Sequence, residues 1–390
     1  MLQSPLHPRF AASDALLIPY GVPGNASEVV GAFEEVGLEY AAIRKSAVLF
    51  DEPHVGTLII RGTDRLTFLN NMITQKVIDL APGRTRWSFW LNRKGRLDAE
   101  LRLVARDDHL LVWLDRHLAE KTAESLTGFV FSEDVIIENA SDRLHRMSIH
   151  GRTALSCLAH HTANPALSAL EPTHNTAATM AGVPVTVDRD DLTGEPGLAL
   201  SVPRDHAEQI HDILIVPGPH PAKPCGWFAV NTARIEAGRP FFNIDYGHDN
   251  LPAETGVTDT RIDYRKGCYL GQEVVARMDA RKTRKQGLVA LRTLPPAEGH
   301  DAPLPSAGDR VFTADDAAGN PIGTVTSSTI SPMLSGSPAC FAMIRDAETA
   351  AGTELIVQAE GQRARAVVQP TLTFWPLANN EKPLNKPRTK

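Results

Sequence analysis

Residues 266–277 read Lys-Gly-Cys-Tyr-Leu-Gly-Gln-Glu-Val-Val-Ala-Arg, a cysteine bracketed by two glycines, with a lysine before it and a helix-patterned segment after it. Gly267 and Gly271 allow a sharp turn and a close backbone approach. Val274, Val275 and Met278 recur at helical spacing, which puts Cys268 just ahead of a helix N-terminus. Unpaired N–H groups and the helix dipole favour a thiolate there, and Lys266 and Arg277 add positive charge. A cysteine packed inertly in a Gly-bounded turn is the alternative, because free cysteine is among the most buried residue types. The residues alone leave both readings open.

A chain of 390 residues exceeds one ordinary core and implies two or three domains. Its 42% hydrophobic and 22% charged residues are in the proportions of a soluble globular protein. A net charge of −6 argues against wholesale nucleic-acid binding. It leaves room for one local basic run, Arg277, Arg281, Lys282, Arg284 and Lys285, which is either a solvated helix face or a contact for an anionic ligand tail. Cys157, Cys225, Cys268 and Cys340 form no C-x-x-C pair, so neither a disulfide framework nor a zinc site is expected, and a reducing compartment fits. His160 and His161 are adjacent rather than spaced as two ligands on one helix face, so no metal is expected. The N-terminal residues lack an apolar signal core, and no stretch approaches the ~18 apolar residues of a membrane helix. The expectation is a cytoplasmic protein with no membrane or nucleic-acid partner.

Along the chain, residues 1–26 read as extended, 25–36 as a short helix with Ser27 as a possible cap, and 40–47 as a second helix. From residue 55 a compact α+β unit is predicted. A strand at 57–61 leads into a helix at 65–75, then strands at 86–91, 97–105 and 110–115, a helix at 118–129 and a strand at 135–138. That order is of ferredoxin-like type. Next come a strand at 144–150, a helix at 152–160, a loop-like region at 163–180, strands at 183–188 and 197–202, and helices at 206–214 and 226–237. Gly238 at C′ and Pro240 beyond it end the last helix. A Pro/Gly-rich connector at 294–308 precedes short strands at 310–313, 321–327, 339–344, 354–359 and 363–368, which suggest a small β-barrel. The domain expectation is 1–54 with 141–285 as a central lobe, 55–140 as the ferredoxin-like lobe, 286–377 as the barrel and 378–390 as a disordered tail.

The motif at 266–277 resembles the signature of the YgfZ-type folate-binding proteins, which share a superfamily with the aminomethyltransferase (T-protein) of the glycine cleavage system. The resemblance covers nearly the whole chain. Arg61-Gly62-Thr63-Asp64 with Phe68-Leu69, Leu91-Asn92-Arg93-Lys94-Gly95, Thr193-Gly194-Glu195-Pro196-Gly197, Arg234-Ile235-Glu236-Ala237-Gly238 with Pro240, and Gly323-Thr324-Val325-Thr326-Ser327 with Ser331-Pro332 are similar to superfamily motifs in the same order. It implies a three-lobed folate-binding fold around a channel that takes tetrahydrofolate. For the YgfZ branch it implies a role in assembling or repairing iron–sulfur client proteins, with the motif cysteine required. Cys268 and Glu100 are then the candidate catalytic residues. Glu195, Arg234, Lys266, Tyr269, Gln272 and Arg277 are the candidate folate-binding residues. A carboxylate can accept the paired N–H groups on a pterin edge, and Arg or Lys suits an anionic glutamate tail.

The chain departs from the T-protein pattern at three places. Ala99 and Glu100 stand where that branch has two aspartates, Ala199 stands where it has a second acid after Thr-Gly-Glu, and Cys268 stands where it has no cysteine. Asp98 shares Glu100's side of a strand, as a displaced acid or a surface one. These departures favour the iron–sulfur accessory reading. A folate-dependent aminomethyltransferase or demethylase using Glu100 is the runner-up, and a scaffold that has lost folate is the third reading.

Overall fold

The structure is a computed structural model and describes residues 1–21, 24–281, 283–294, 302–316 and 319–374. Two compact units are present. The first comprises residues 1–90, 98–230 and 261–270, and the second residues 91–97, 231–260 and 271 onward.

The first unit opens with α1 (His7–Ala11), β1 (Leu16–Tyr20), β2 (Ser27–Ala32), α2 (Val36–Lys45) and β3 (Val48–Asp51). Residues 27–32 are thus a strand antiparallel to β1 and not the expected helix. The β-branched pair Val29 and Val30 is buried in the strand, a conformation such side chains favour over a helix. The expected extended N-terminal segment also contains the short α1.

There follow β4 (Val55–Arg61), α3 (Arg65–Met72), β5 (Thr85–Leu91), β6 (Leu97–Ala105), β7 (His109–Asp115), α4 (Ala119–Thr127) and β8 (Ile136–Asn139). They form a five-stranded sheet in the order β5-β6-β7-β4-β8, in which β4 pairs antiparallel with β7 and β8. The predicted strand–helix–three strands–helix–strand order is present. Gly62 fixes the corner after β4. Its φ is +103°, and a Cβ there would lie 1.9 Å from Asp134 O.

The unit continues with β9 (Leu144–His150), α5 (Ala154–His161), β10 (Asn175–Met180), β11 (Val183–Arg189), β12 (Gly197–Pro203), α6 (Ala207–Ile215), β13 (Lys223–Cys225) and the start of α7 (Trp227–Glu236), whose residues from Asn231 on belong to the second unit. The second sheet is six-stranded, ordered β10-β11-β12-β9-β3-β13. Helices α5 and α6 cover one face through Cys157, Leu158, Ile210 and Leu214, against Ile149, Val187 and Leu200. Strand β10 lies in the region expected to be a loop. It is an edge strand with Ala177 and Thr179 exposed, joined to β11 by Ala181 and Gly182, both at positive φ as a tight hairpin turn requires. The two sheets meet through Ile59, Val104, Leu111, Trp113, Ala140 and Ala199.

The second unit holds α8 (Thr258–Arg261) up to its last residue, α9 (Gln272–Arg281) and a closed barrel. The barrel strands are β14 (Gln286–Thr293), β15 (Arg310–Thr313), β16 (Gly323–Ser331), β17 (Ser337–Arg345), β18 (Glu354–Ala359) and β19 (Gln362–Val368). They close in the order β14-β17-β16-β15-β18-β19 around Leu291, Val325, Ala342, Ile344, Val357 and Val368. Strand β14 had no counterpart among the individual strands read from the sequence. The 378–390 tail and most of the 294–308 connector's first half lie outside the described residues.

His54 contributes to the acid sensitivity of the first unit. His54 is buried among Tyr20, Phe50 and Trp227, with ring centroids 4.3, 6.1 and 6.4 Å away. Its Nδ1 has no hydrogen-bond partner among the described residues. Burial first, and then the positive Arg146, pull its pKa down from 6.5 to about 3. The unfolded chain takes up this proton near pH 6.5, whereas the folded chain resists until about pH 3. The stability contributed is therefore complete above 6.5 and lost as pH falls, at up to about 1.4 kcal/mol per pH unit. Replacing His54→Phe should flatten that decline, measured by urea unfolding from about pH 6.5 down to about pH 4.

Candidate functional site

The first unit carries Glu100, Glu195, Lys266, Cys268 and Tyr269, and the second carries Arg234, Gln272 and Arg277. On β6 the alternation puts Asp98, Glu100 and Arg102 on one face and the fully buried Leu97, Ala99 and Leu101 on the other. Glu100 accepts a hydrogen bond from Arg261 Nε at 2.8 Å, and both side chains are about one-tenth exposed. The Arg261 guanidinium lies 4.4 Å from the Trp87 ring, a cation–π contact that fixes its plane. Sequence reading missed Arg261 because its partner lies 161 residues away.

The segment bearing the cysteine is fastened at several points. Thr74 Oγ1 donates to Arg261 O at 2.6 Å, and Asp263 N donates to Thr74 O at 3.1 Å. Lys266 Nζ donates to Asn70 O, Ile73 O and Gln75 O at 2.5, 2.5 and 3.0 Å. Those carbonyls sit at and just past the end of α3, so the ammonium caps that helix and all three of its donors are engaged. Burial pulls its pKa down to about 8, which leaves it mostly charged at neutral pH. Tyr269 is buried with Lys266 Nζ 5.1 Å from its ring centroid.

Cys268 is exposed, whereas Cys157, Cys225 and Cys340 are buried and unpaired. Burial pushes the Cys157 and Cys340 thiols up to about 12 and the Cys225 thiol well above its usual value. Those three are inert, and Cys268 is the thiol that solvent reaches. Gly267 has open space where a Cβ would be, so the expected need for glycine there is not seen. Gly271 has φ +80°, and a Cβ there would lie 2.9 Å from Asn92 O, as expected of a tight approach. Gln272 opens α9, where Val275 is buried and Arg277 exposed.

Glu195 sits in the turn between β11 and β12, with its side chain one-fifth exposed. Arg44 Nη1 donates to Glu195 Oε1 at 3.4 Å and to Thr193 O at 2.9 Å, so one guanidinium holds both carboxylate and turn. Thr193 is fully buried, and its Oγ1 has no hydrogen-bond partner among the described residues. Ala199, four residues on, packs in the apolar contact between the sheets.

Arg234 occupies a different setting. It and Asp245 are fully buried and paired at 2.6 Å. Asp245 also accepts from Phe241 N, Thr326 Oγ1 and Ser327 Oγ at 2.8, 2.9 and 2.5 Å. Two successive hydroxyls reach one carboxylate because β16 has a register shift between Val325 and Ser327. Glu236 accepts from Ser331 Oγ at 2.5 Å, and Glu236 O accepts from Phe374 N at 3.0 Å. Gly238, at φ +71°, leaves no room for a Cβ beside Thr373. The Arg-x-Glu-x-Gly motif therefore ties α7 to the barrel.

Among the described residues, no group of three or more His, Cys, Asp or Glu could hold a metal ion, and no helix is long and apolar enough to cross a membrane.

A two-sheet α+β unit followed by a closed barrel is the fold of a T-type aminomethyltransferase. The glycine cleavage system aminomethyltransferase T from Bartonella henselae matches with a TM-score of 0.83, covering 96% of this chain and 99% of that one at 20% identity. Residues 16–262 match the GCVT N-terminal domain, and residues 288–374 match the glycine cleavage T-protein C-terminal barrel domain. The chain belongs to the glycine cleavage T-protein family. Aminomethyltransferases of Geobacillus sp. (strain WCH70) and Shouchella clausii (strain KSM-K16) are 30% and 28% identical to it. The first alignment spans 86% of this chain and 89% of that protein, the second 95% and 97%.

Lys266→Met should strand three carbonyls at the end of α3 and destabilise the first unit by about 1–3 kcal/mol, read as a lower urea midpoint at unchanged m-value.

Proposed function

We propose that this protein binds a reduced folate in its first unit and transfers a one-carbon unit from an aminomethyl donor to it. The observation that carries the reading is the Glu100–Arg261 pair, a carboxylate held by a guanidinium at the position where the related aminomethyltransferases are expected to place an acid. Similarity to such enzymes along almost the full length of the chain supports it. The turn at 193–195 fits a pterin edge. Its carboxylate, one-fifth exposed, can accept paired N–H groups. Reduced folate, when bound, supplies the nitrogen nucleophile that accepts the one-carbon unit. Glu195 orients the ring, Arg44 holds Glu195, and Glu100 moves protons as the donor carbon exchanges its bonds to amine and carrier for bonds to two folate nitrogens, with ammonia and the free carrier leaving.

Purified protein given tetrahydrofolate and an aminomethyl donor should form methylenetetrahydrofolate. Glu100→Gln should lower kcat by about 100-fold or more while folate affinity changes little. Absence of product with the wild-type protein would remove this reading.

A second reading rests on Cys268, the exposed thiol in the Lys-Gly-Cys-Tyr motif. Here the protein binds folate and acts as an accessory for iron–sulfur proteins in the cytoplasm, with Cys268 as the reacting group. In cells lacking the native gene, Cys268→Ser should then fail to restore iron–sulfur enzyme activities although its unfolding midpoint is unchanged. Full restoration leaves aminomethyl transfer standing alone.

A further inference from the structure

Arg102 lies two residues beyond Glu100 on the same face of β6 and is buried. Its guanidinium is satisfied on every side. Nε donates to Asp188 Oδ2 at 2.6 Å, Nη2 to Arg189 O at 2.6 Å, and Nη1 pairs with Asp190 Oδ1 at 3.1 Å. Its Cζ lies 4.8 Å from the Trp87 ring, the same indole that carries Arg261. All its acceptors belong to the end of β11 and the residue just after it, where the chain enters the turn that presents Thr193 and Glu195.

That turn closes on itself through Asp190 N to Gly197 O at 2.8 Å, Gly197 N to Asp191 Oδ1 at 2.9 Å and Gly194 N to Asp191 O at 3.2 Å. Its base is then gripped by two arginines from other strands, Arg102 on β6 and Arg146 on β9, both on Asp190 at 3.1 Å. Arg146 also pairs with Glu52, so its grip is shared. Arg102 reaches the turn from the strand that bears Glu100. Nothing else in this set connects the two acids so directly.

We propose that Arg102 is a positioning residue that sets the turn bearing Glu195 at a fixed place relative to Glu100, with Trp87 as the platform on which Arg102 and Arg261 are both seated. The inference rests on the folate reading for the roles of the two acids. The mechanical part stands apart from it.

The test compares wild type with Arg102→Lys, which keeps the charge but replaces the planar fork of donors with a single ammonium, and with Asp190→Asn, which weakens the grip from the other side. Hydrogen exchange of the 190–197 amides, thermal unfolding, and tetrahydrofolate affinity and turnover are measured on the full chain. The expected result is exchange at least about tenfold faster in that turn alone, tetrahydrofolate binding weakened by at least about tenfold, and a smaller change in kcat. Unchanged exchange and affinity in both variants overturns the proposal. Faster exchange throughout the unit, with affinity lost only in step with unfolding, also overturns it, because that is what a purely structural arginine gives. If Arg102→Lys does not fold, Asp190→Asn decides by the same criteria. If wild type binds no tetrahydrofolate, the folate reading fails by itself, and turn-confined exchange still supports the positioning role while unchanged or global exchange overturns it.

Discussion

A guanidinium removed from water needs acceptors close to it, and each unit of this protein holds a buried arginine paired with a buried carboxylate. In the first unit Arg102 gathers Asp188, Asp190 and the Arg189 carbonyl. In the second, Arg234 pairs with Asp245, which in turn collects two barrel hydroxyls and a backbone N–H. Removing one partner of such a pair leaves a buried charge alone, at a typical cost of about 3–5 kcal/mol. These networks therefore act as latches that admit one arrangement of turn, strand and helix. Apolar packing fills the space between them but tolerates more rearrangement.

The two alanines that replace expected acids follow from the same economy of burial. Ala199 is fully buried where the two sheets of the first unit meet, among Ile59, Val104, Leu111, Trp113 and Ala140. A carboxylate there would have no partner in that apolar set and would be driven to protonate. Ala99 faces the other side of β6, also fully buried, beside Leu97 and Leu101 on the same face. The acid that remains, Glu100, sits on the face with Arg102, and Arg261 balances it. The extra methylene of glutamate relative to aspartate gives the reach to meet that guanidinium.

Much of this was legible in the sequence, and the misses share a cause. The strands at 97–105, 144–150, 310–313 and 354–359 were marked by alternation and turn residues, and the structure gives them the same bounds. Ser27, the first residue of β2, carries a helix-cap signal, but pairing with β1 outweighs that local preference. Strand β10 was hidden by loop-like composition, since an edge strand needs few apolar residues. The candidate site was marked in part. Glu100, Glu195 and Cys268 stood out by motif, while Arg44, Arg102 and Arg261 could not, because their partners lie 86 to 161 residues away. Long-range charge pairing leaves no periodic trace in one chain.

The chemistry expected around the cysteine is redistributed in the same way. Lys266 was expected to bring positive charge to the thiol, yet its three donors close the end of α3. The lysine thereby anchors the backbone two residues before Cys268, and the cysteine remains exposed on a segment tied to the end of α3. The other three thiols are buried, and their raised pKa values keep them protonated and unreactive. A single accessible thiol on a fixed segment gives a reagent or partner one sulfur to meet. Selectivity among the four cysteines thus comes from burial, with no need for a special base beside Cys268.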